Sequence, residues 1–261
     1  MAPIPKTVVA TGTSSGIGFE AIKQLLAQQE QPYRLLLGVR DAPKTQAAID
    51  AVQFDASTGH SVTVLPLELA DLKSVKSFAA QVLERLGKDD KLDYLLLNAA
   101  TSAGAEQPGP HGSKWCESYI VNHLSQHYLV HLLRTKLVDS SARIVFVSSA
   151  VIQMVKDPSS LESDLKGGSG VKGLTVYAET KLVALFGAHW WRRQLAGLCT
   201  VVAVSPGLIP DTGLGRGAGF TVPKDMSDAK SVPEGGASIL RAFTRDDFPA
   251  DPDLIFLTSW G

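Results

Sequence analysis

Eight residues, Thr11-Gly12-Thr13-Ser14-Ser15-Gly16-Ile17-Gly18, lie between an apolar run, Thr7-Val8-Val9-Ala10, and a stretch with helical apolar spacing at Ile17, Ile22, Leu25 and Leu26. This glycine-rich turn constrains the fold more than any other segment, because it reads as a buried strand passing directly into a helix. Gly12, Gly16 and Gly18 let the backbone turn sharply and come close to a ligand. The free N–H groups at the start of the helix, together with its dipole, suit a dinucleotide pyrophosphate. Three glycines alone leave a second reading open, a tight strand-to-helix turn with no ligand.

The alternation continues along the chain. Strands are expected at 7–10, 34–39, 61–67, 94–97, 143–147, 199–204 and 254–258, and helices at about 17–29, 44–54, 72–86, 114–138, 177–196 and 233–244. The strand segments are rich in Val, Ile and Leu without in-and-out alternation, as strands buried on both faces of a parallel sheet are. Right-handed crossovers then give an α/β fold: a single-domain, Rossmann-type doubly wound sheet of about seven parallel strands flanked by helices. It is expected to span all 261 residues as one unit, with no repeat or linker.

A net charge of −1 supplies no field to attract nucleic acid or an anionic membrane, so a small-molecule substrate is the expected partner. Cys116 and Cys199 are too few for a disulfide framework, which points to reduced thiols and a cytoplasmic setting. The first residues run almost directly into a strand without a signal-peptide pattern, and no apolar run approaches the ~20 residues that span a bilayer. No membrane anchor is expected.

Ligands of a doubly wound sheet bind beyond the carboxyl ends of its strands, so the residues that follow each strand are the candidates. Arg40, after the second, is placed to accept the extra phosphate of NADP, where an acidic residue would favour NAD. A solvated arginine is the alternative reading. Asp71 reads as a helix N-cap. Asn98, Ala99 and Ala100 are small enough for the chain to pass close beside a cofactor. The fifth strand ends in Ser148-Ser149, and beyond it Tyr177 and Lys181 stand four apart on one helical face, so a phenol and an ammonium converge. The cation is expected to lower the phenol pKa from its usual ~10 and so make Tyr177 a general acid or base.

Taken in order, TGTSSGIG (11–18), LNAA (97–100), VNHL (121–124), VSSA (147–150), YAETK (177–181) and SPG (205–207) resemble the short-chain dehydrogenase/reductase family across essentially the whole chain. The resemblance implies a catalytic set of Asn122, Ser149, Tyr177 and Lys181, with Asn122 holding a relay water. It implies an NADP(H) site formed by Gly12, Ser14, Ser15, Gly16, Ile17 and Gly18 in the first turn, and by Arg40, Glu68 and Leu69 on the adenosine side. Asn98, Ala99, Ala100, Tyr177, Lys181, Pro206, Gly207 and Thr212 complete it. The long segment between Ser149 and Tyr177, and the run from Ser205 to Leu214, resemble the branch that holds retinol dehydrogenases and protochlorophyllide reductases.

Three departures from the family pattern stand out. Glu68 replaces a common aspartate, Leu97 and Ala100 replace the first Asn and the Gly of NNAG, and Asp211 stands where a threonine often meets the cofactor. Asp211 is expected to point away and leave that contact to Thr212.

The activity implied is reduction of a carbonyl, or the reverse oxidation, on a mainly apolar molecule such as a hydroxylated aromatic, polyketide-like, terpenoid or retinoid-like compound. Reduction of a C=C bond, a redox-neutral isomerisation or cyclisation, and a non-enzymatic dinucleotide sensor are the alternatives. Residues 150–176 and 208–230 are expected to wall the substrate, the latter as a lid loosened by its glycines. His123, His127 and His131 share a helical face without accompanying Cys or carboxylate, so no metal site is expected. Trp190-Trp191 fits core packing or a subunit contact in a homo-oligomer better than nucleic-acid stacking.

Overall fold

Strands β1 (Lys6–Thr11), β2 (Tyr33–Val39), β3 (Ser61–Pro66), β4 (Tyr94–Leu97), β5 (Arg143–Val147), β6 (Thr200–Val204) and β7 (Phe256–Leu257) pair in one parallel sheet. Their order is β3-β2-β1-β4-β5-β6-β7. The structure, a computed structural model, describes residues 3–210, 212–218, 229–246 and 256–257. The remainder of the strand expected at 254–258, Asp211, and the 219–228 part of the expected lid lie outside the described residues.

The strands carry apolar side chains on both faces, and successive residues sort to opposite sides of the sheet. Val9, Leu36, Leu95, Ile144 and Val201 face one core, built with α3 (Leu72–Leu86), α5 (Ser125–Asp139) and α7 (Gly173–Gln194). Val8, Leu35, Leu37, Leu96, Val145 and Val202 face the other, built with α1 (Gly16–Leu26), α2 (Ala42–Asp50) and α8 (Val232–Thr244). Each fully buried Leu or Val contributes about 1.5–3 kcal/mol, so the sheet is a rigid base for whatever its upper edge carries.

Capping fixes the helix starts. Asp71 accepts from the Lys73 N–H at 2.9 Å, the N-cap role read from its position, and Ser231 and Glu234 form a reciprocal capping box at α8.

The helices expected at 17–29 and 44–54 end earlier, at Leu26 and Asp50, and two others depart from expectation in form or start. The stretch expected as one helix over 114–138 is divided into α4 (Glu117–Tyr119), a π-turn (Ile120–Leu124) and α5. The π-turn contains Asn122, whose side chain is bonded to a neighbouring loop, a constraint invisible to apolar periodicity. Helix α7 begins four residues before Tyr177, at Gly173, because Val176 is buried in a side cluster; the preceding Lys172 offers no side-chain cap to mark the start. The 150–176 segment folds as short turns and α6 (Leu161–Asp164).

The strand order reverses between β1 and β4, the place where a doubly wound sheet opens a crevice above its strand ends. Thr11 pairs with Gly38 on one side and Leu97 on the other, so the loops after β1, β2 and β4 rise together at that point.

Candidate active site

The turn after β1 is held by side chains of β1, β4 and α5. The Asn98 amide donates to the Gly12 carbonyl at 2.8 Å and the Thr11 carbonyl at 3.2 Å. Thr11 Oγ1 receives the Asn98 and Ala99 N–H groups at 3.2 Å each and donates to Gln126 Oε1 at 3.1 Å, while Gln126 donates to the Ala99 carbonyl at 2.6 Å. This network makes the loop a preformed surface. Gly12 has φ +68°, and a Cβ there would come 2.5 Å from Ala99 Cα, so only glycine fits beside the β4 loop.

The chemistry of the cradle suits an anion. Gly16, Ile17 and Gly18 occupy the first turn of α1, where N–H groups have no intrahelical acceptor, no acidic residue stands in that turn, and the N-cap Ser15 makes no side-chain cap bond. Ser14 and Ser15 are exposed, and the Thr13 hydroxyl is buried without a partner among the described residues. Thr212 lies beside the turn: a Cβ on Gly16 would sit 3.6 Å from Thr212 Cγ2, and its hydroxyl donates to the Ile209 carbonyl at 3.3 Å. Arg40 is exposed just past β2, and Asp41 next to it caps α2 by accepting from the Lys44 N–H at 3.0 Å.

Glu68 turns its carboxylate onto its own loop, accepting the Ala70 N–H at 2.9 Å, and Leu69 is buried with its carbonyl taking the Ser125 hydroxyl at 2.5 Å. Pro206 is buried and Gly207 has φ +101°, so the SPG segment bends sharply after β6.

Ser149, Tyr177 and Lys181 come together above β5. Ser149 caps the turn that follows it by accepting the Val151 N–H at 3.3 Å, and its hydroxyl favours the ionised form of the Tyr177 phenol. Lys181 Nζ donates to the Val147 carbonyl at 2.7 Å and lies 5.6 Å from the Tyr177 ring centroid. Ser205 steadies the same corner by accepting the Ala150 N–H at 3.0 Å.

Both titrating groups are desolvated. Burial holds the Tyr177 phenol well above the usual range, opposed only by Ser149, and pushes Lys181 down to about 8. The expectation that the cation lowers the phenol is corrected here. The ammonium is bonded to a backbone carbonyl, and removal of the phenol from water is the larger effect.

Asn122 is 3% exposed; its Oδ1 accepts the Thr101 N–H at 2.8 Å, and its amide donates to the Thr101 carbonyl at 2.8 Å and Thr180 Oγ1 at 2.9 Å. It ties the loop after β4 to the helix that carries Tyr177.

Several of these residues were missed from sequence. Thr101 and Gln126 carry no motif signal, and Thr11 and Thr180 stand inside motifs that gave their side chains no role, because the importance of all four comes from partners 21 to 115 residues away. The Gly213–Ala218 segment forms a 3-10 turn, and the Leu214 carbonyl accepts the hydroxyl of buried Ser102. Trp191 is buried while Trp190 is 41% exposed, and both rings pack against His127, at 5.1 and 5.2 Å between centroids. His123 packs between Tyr119 and His127, so two of the three histidines belong to an aromatic stack, while His131 lies against Tyr128 at 6.3 Å between centroids.

Residues 6–159 match the short chain dehydrogenase family. A short-chain dehydrogenase/reductase of Pestalotiopsis microspora is 56% identical over 263 aligned residues, covering 100% of this chain and 89% of its own length. Human retinol dehydrogenase 13 is 31% identical over 224 residues, covering 84% of this chain, and the match spans 63% of that longer protein. Among solved structures, NADPH-bound carbonyl reductase from chicken fatty liver superposes with a TM-score of 0.73 at 23% identity, covering 98% of this chain and 97% of the other. An alcohol dehydrogenase from Thermococcus sibiricus in complex with 5-hydroxy-NADP superposes at 0.67 with 21% identity, covering 98% and 96%. Among the described residues no helix is long and apolar enough to cross a membrane.

Proposed function

From the premise that the chain belongs to the short-chain dehydrogenase/reductase family, we propose that it is an NADP(H)-dependent oxidoreductase that reduces the carbonyl of a mainly apolar small organic molecule, or oxidises the alcohol. The observation that carries this reading is the buried phenol of Tyr177 with Lys181 Nζ 5.6 Å from its ring centroid and bonded to the Val147 carbonyl beside Ser149, and a preformed anion cradle at the adjacent switch point. The nicotinamide cofactor, when bound, supplies a hydride to the carbonyl carbon. The first turn of α1 would hold its pyrophosphate, Asn98, Ala99 and Thr212 would flank it, and Arg40 would meet the 2′-phosphate.

The chain's own residues then have defined tasks. Ser149 donates a hydrogen bond to the substrate oxygen and fixes which face of the carbonyl is presented. Tyr177 gives its proton to that oxygen. A raised phenol pKa keeps this donor protonated through the ordinary pH range, which favours the reductive direction. Lys181 replaces the proton and holds the ribose of the cofactor. Both amide hydrogens of Asn122 are used by the fold, so a relay water would donate to its Oδ1. Half-buried Val151, Ile152 and Val155 follow the catalytic serine and suit an apolar substrate. Cys116 and Cys199 are free thiols, in keeping with a reducing cytoplasmic setting.

Two outcomes test this reading. Arg40→Asp is expected to weaken NADPH binding about tenfold or more and to narrow or invert the preference over NADH, because a charge-assisted bond is replaced by repulsion. Equal dissociation constants for the two cofactors in the unmodified protein would rule out that role for Arg40. Turnover in the reductive direction is expected to fall as pH rises through about 8, where buried Lys181 loses its proton. A profile that is level between pH 7 and 9 would remove Lys181 from proton supply.

A further inference from the structure

The catalytic helix has a second buried face. Val176, Glu179 and Val183 recur on α7 at i, i+3 and i+7, turned away from the face of Tyr177 and Lys181. Against Val176 and Val183 packs a separate apolar cluster that includes Ala105, Cys116 and Leu165, with Trp115 and Leu161 on its flank. This layer is built from two segments, 105–116 and 161–172, joined by backbone hydrogen bonds. The Ala105 N–H donates to the Val171 carbonyl at 2.8 Å, Gly167 to Lys114 at 2.9 Å and Cys116 to Leu165 at 2.9 Å. Its second segment is part of the substrate-side wall.

Glu179 intrudes a carboxyl into that apolar layer. It is 4% exposed, and its Oε2 has no donor among the described residues. The neighbour within hydrogen-bonding reach is another acid, Asp164 of α6. Two adjacent carboxylates in an apolar setting repel, whereas one proton between them makes a hydrogen bond. Burial, and then the charge of Asp164 and its bond, push Glu179 up to about 7. Cys116 also faces Glu179; burial raises its thiol and Glu179 adds to the rise, while Tyr119 of α4 is raised by burial and by Cys116. Of the lysines in the two segments, Lys166 is paired with Glu162 at 3.9 Å and Lys172 with Glu106 at 3.1 Å, Lys114 lies over the Trp115 ring at 4.7 Å, and Glu117 of α4 is exposed.

We propose that Glu179 is a positioning residue: a proton shared with Asp164 clamps the 105–116 and 161–172 layer onto the back of the catalytic helix, and its loss loosens the substrate side while the cofactor turn stays in place. Native Glu179 holds its proton more tightly than an unfolded glutamate with the ordinary value of 4.5, so the clamp is strongest at low pH and is lost as pH rises through about 7. The consequence for substrate binding rests on the reductase reading above, whereas the clamp itself does not.

Hydrogen exchange on the intact protein at pH 6 and pH 8, corrected for the intrinsic chemical rate, tests the clamp without any substrate. Protection across 105–116 and 161–172 is expected to fall by up to about tenfold between the two pH values, with β4 unchanged. Glu179→Gln supplies an amide that donates to Asp164 at either pH, so its protection is expected to stay level. Asp164→Asn supplies the reverse bond and answers the same question if the first variant folds poorly. Equal protection at both pH values in the unmodified protein, or the same loss in Glu179→Gln, would overturn the proposal. In turnover, KM is expected to rise over this interval in the unmodified protein and not in Glu179→Gln, with the dissociation constant of NADPH unchanged; a flat KM would overturn the positioning role. An absence of turnover beside the expected exchange result would strike the reductase reading and leave the clamp standing.

Discussion

Tyr177→Phe is expected to lower turnover by ~10²-fold or more while leaving NADPH affinity nearly unchanged. The substitution removes only the phenolic oxygen, the proton donor of the proposed reaction, whose pKa burial raises. The ring stays packed, since Tyr177 is 7% exposed and its surroundings are set by α7 and the sheet, so the fold is not at stake. Lys181→Ala differs in kind, because it removes a fully buried side chain bonded to the Val147 carbonyl and is expected to damage both turnover and cofactor binding. Steady-state kinetics beside NADPH titration separates the two. Retention of most of the turnover by Tyr177→Phe would exclude this phenol as the donor and make a redox-neutral role the leading one.

Gly18→Ala is the second large expected effect, and it acts through the cradle. A Cβ at this position would lie 2.3 Å from Asn98 Nδ2 and 2.4 Å from the Gly12 carbonyl oxygen, and those two atoms are themselves hydrogen-bonded at 2.8 Å. The methyl group therefore wedges open the bond that ties the turn after β1 to β4. Overpacking costs about 1–3 kcal/mol and the broken bond about 1 more. For a chain of this length that corresponds to a fall in Tm of roughly 5–15 °C. Because the same displacement moves the N–H groups proposed to hold the pyrophosphate, NADPH affinity is expected to fall by about tenfold or more. Thermal unfolding with and without NADPH reads both effects, and an unchanged Tm with unchanged affinity would show that the turn is not held as described.

The parallel sheet was legible in the sequence because its strands are short apolar runs with no polar face, and the crevice followed from where the glycine turn falls. The joint spacing of Tyr177 and Lys181 with the serines after β5 likewise pointed to residues that the fold brings together above β5. What lay beyond reach were features set by distant partners. Asn122 breaks its helix into a π-turn because Thr101, 21 residues away, is bonded to its side chain. The state of Tyr177 reversed the expectation since a pKa depends on burial, and burial is a property of the packed protein. Glu179 went unread for the same reason, since its place among Val176, Val183 and Asp164 is set by the packing of α7 against α6.

The most direct test of the central claim is to incubate the protein with NADPH and a panel of apolar ketones, enones and aromatic carbonyl compounds, following nicotinamide absorbance and identifying the product. The expected result is one NADPH consumed for each carbonyl converted to an alcohol, with a single stereochemistry at the new centre. Tight NADPH binding with no consumption across the panel, or conversion of a substrate without net oxidation of NADPH, would contradict the account.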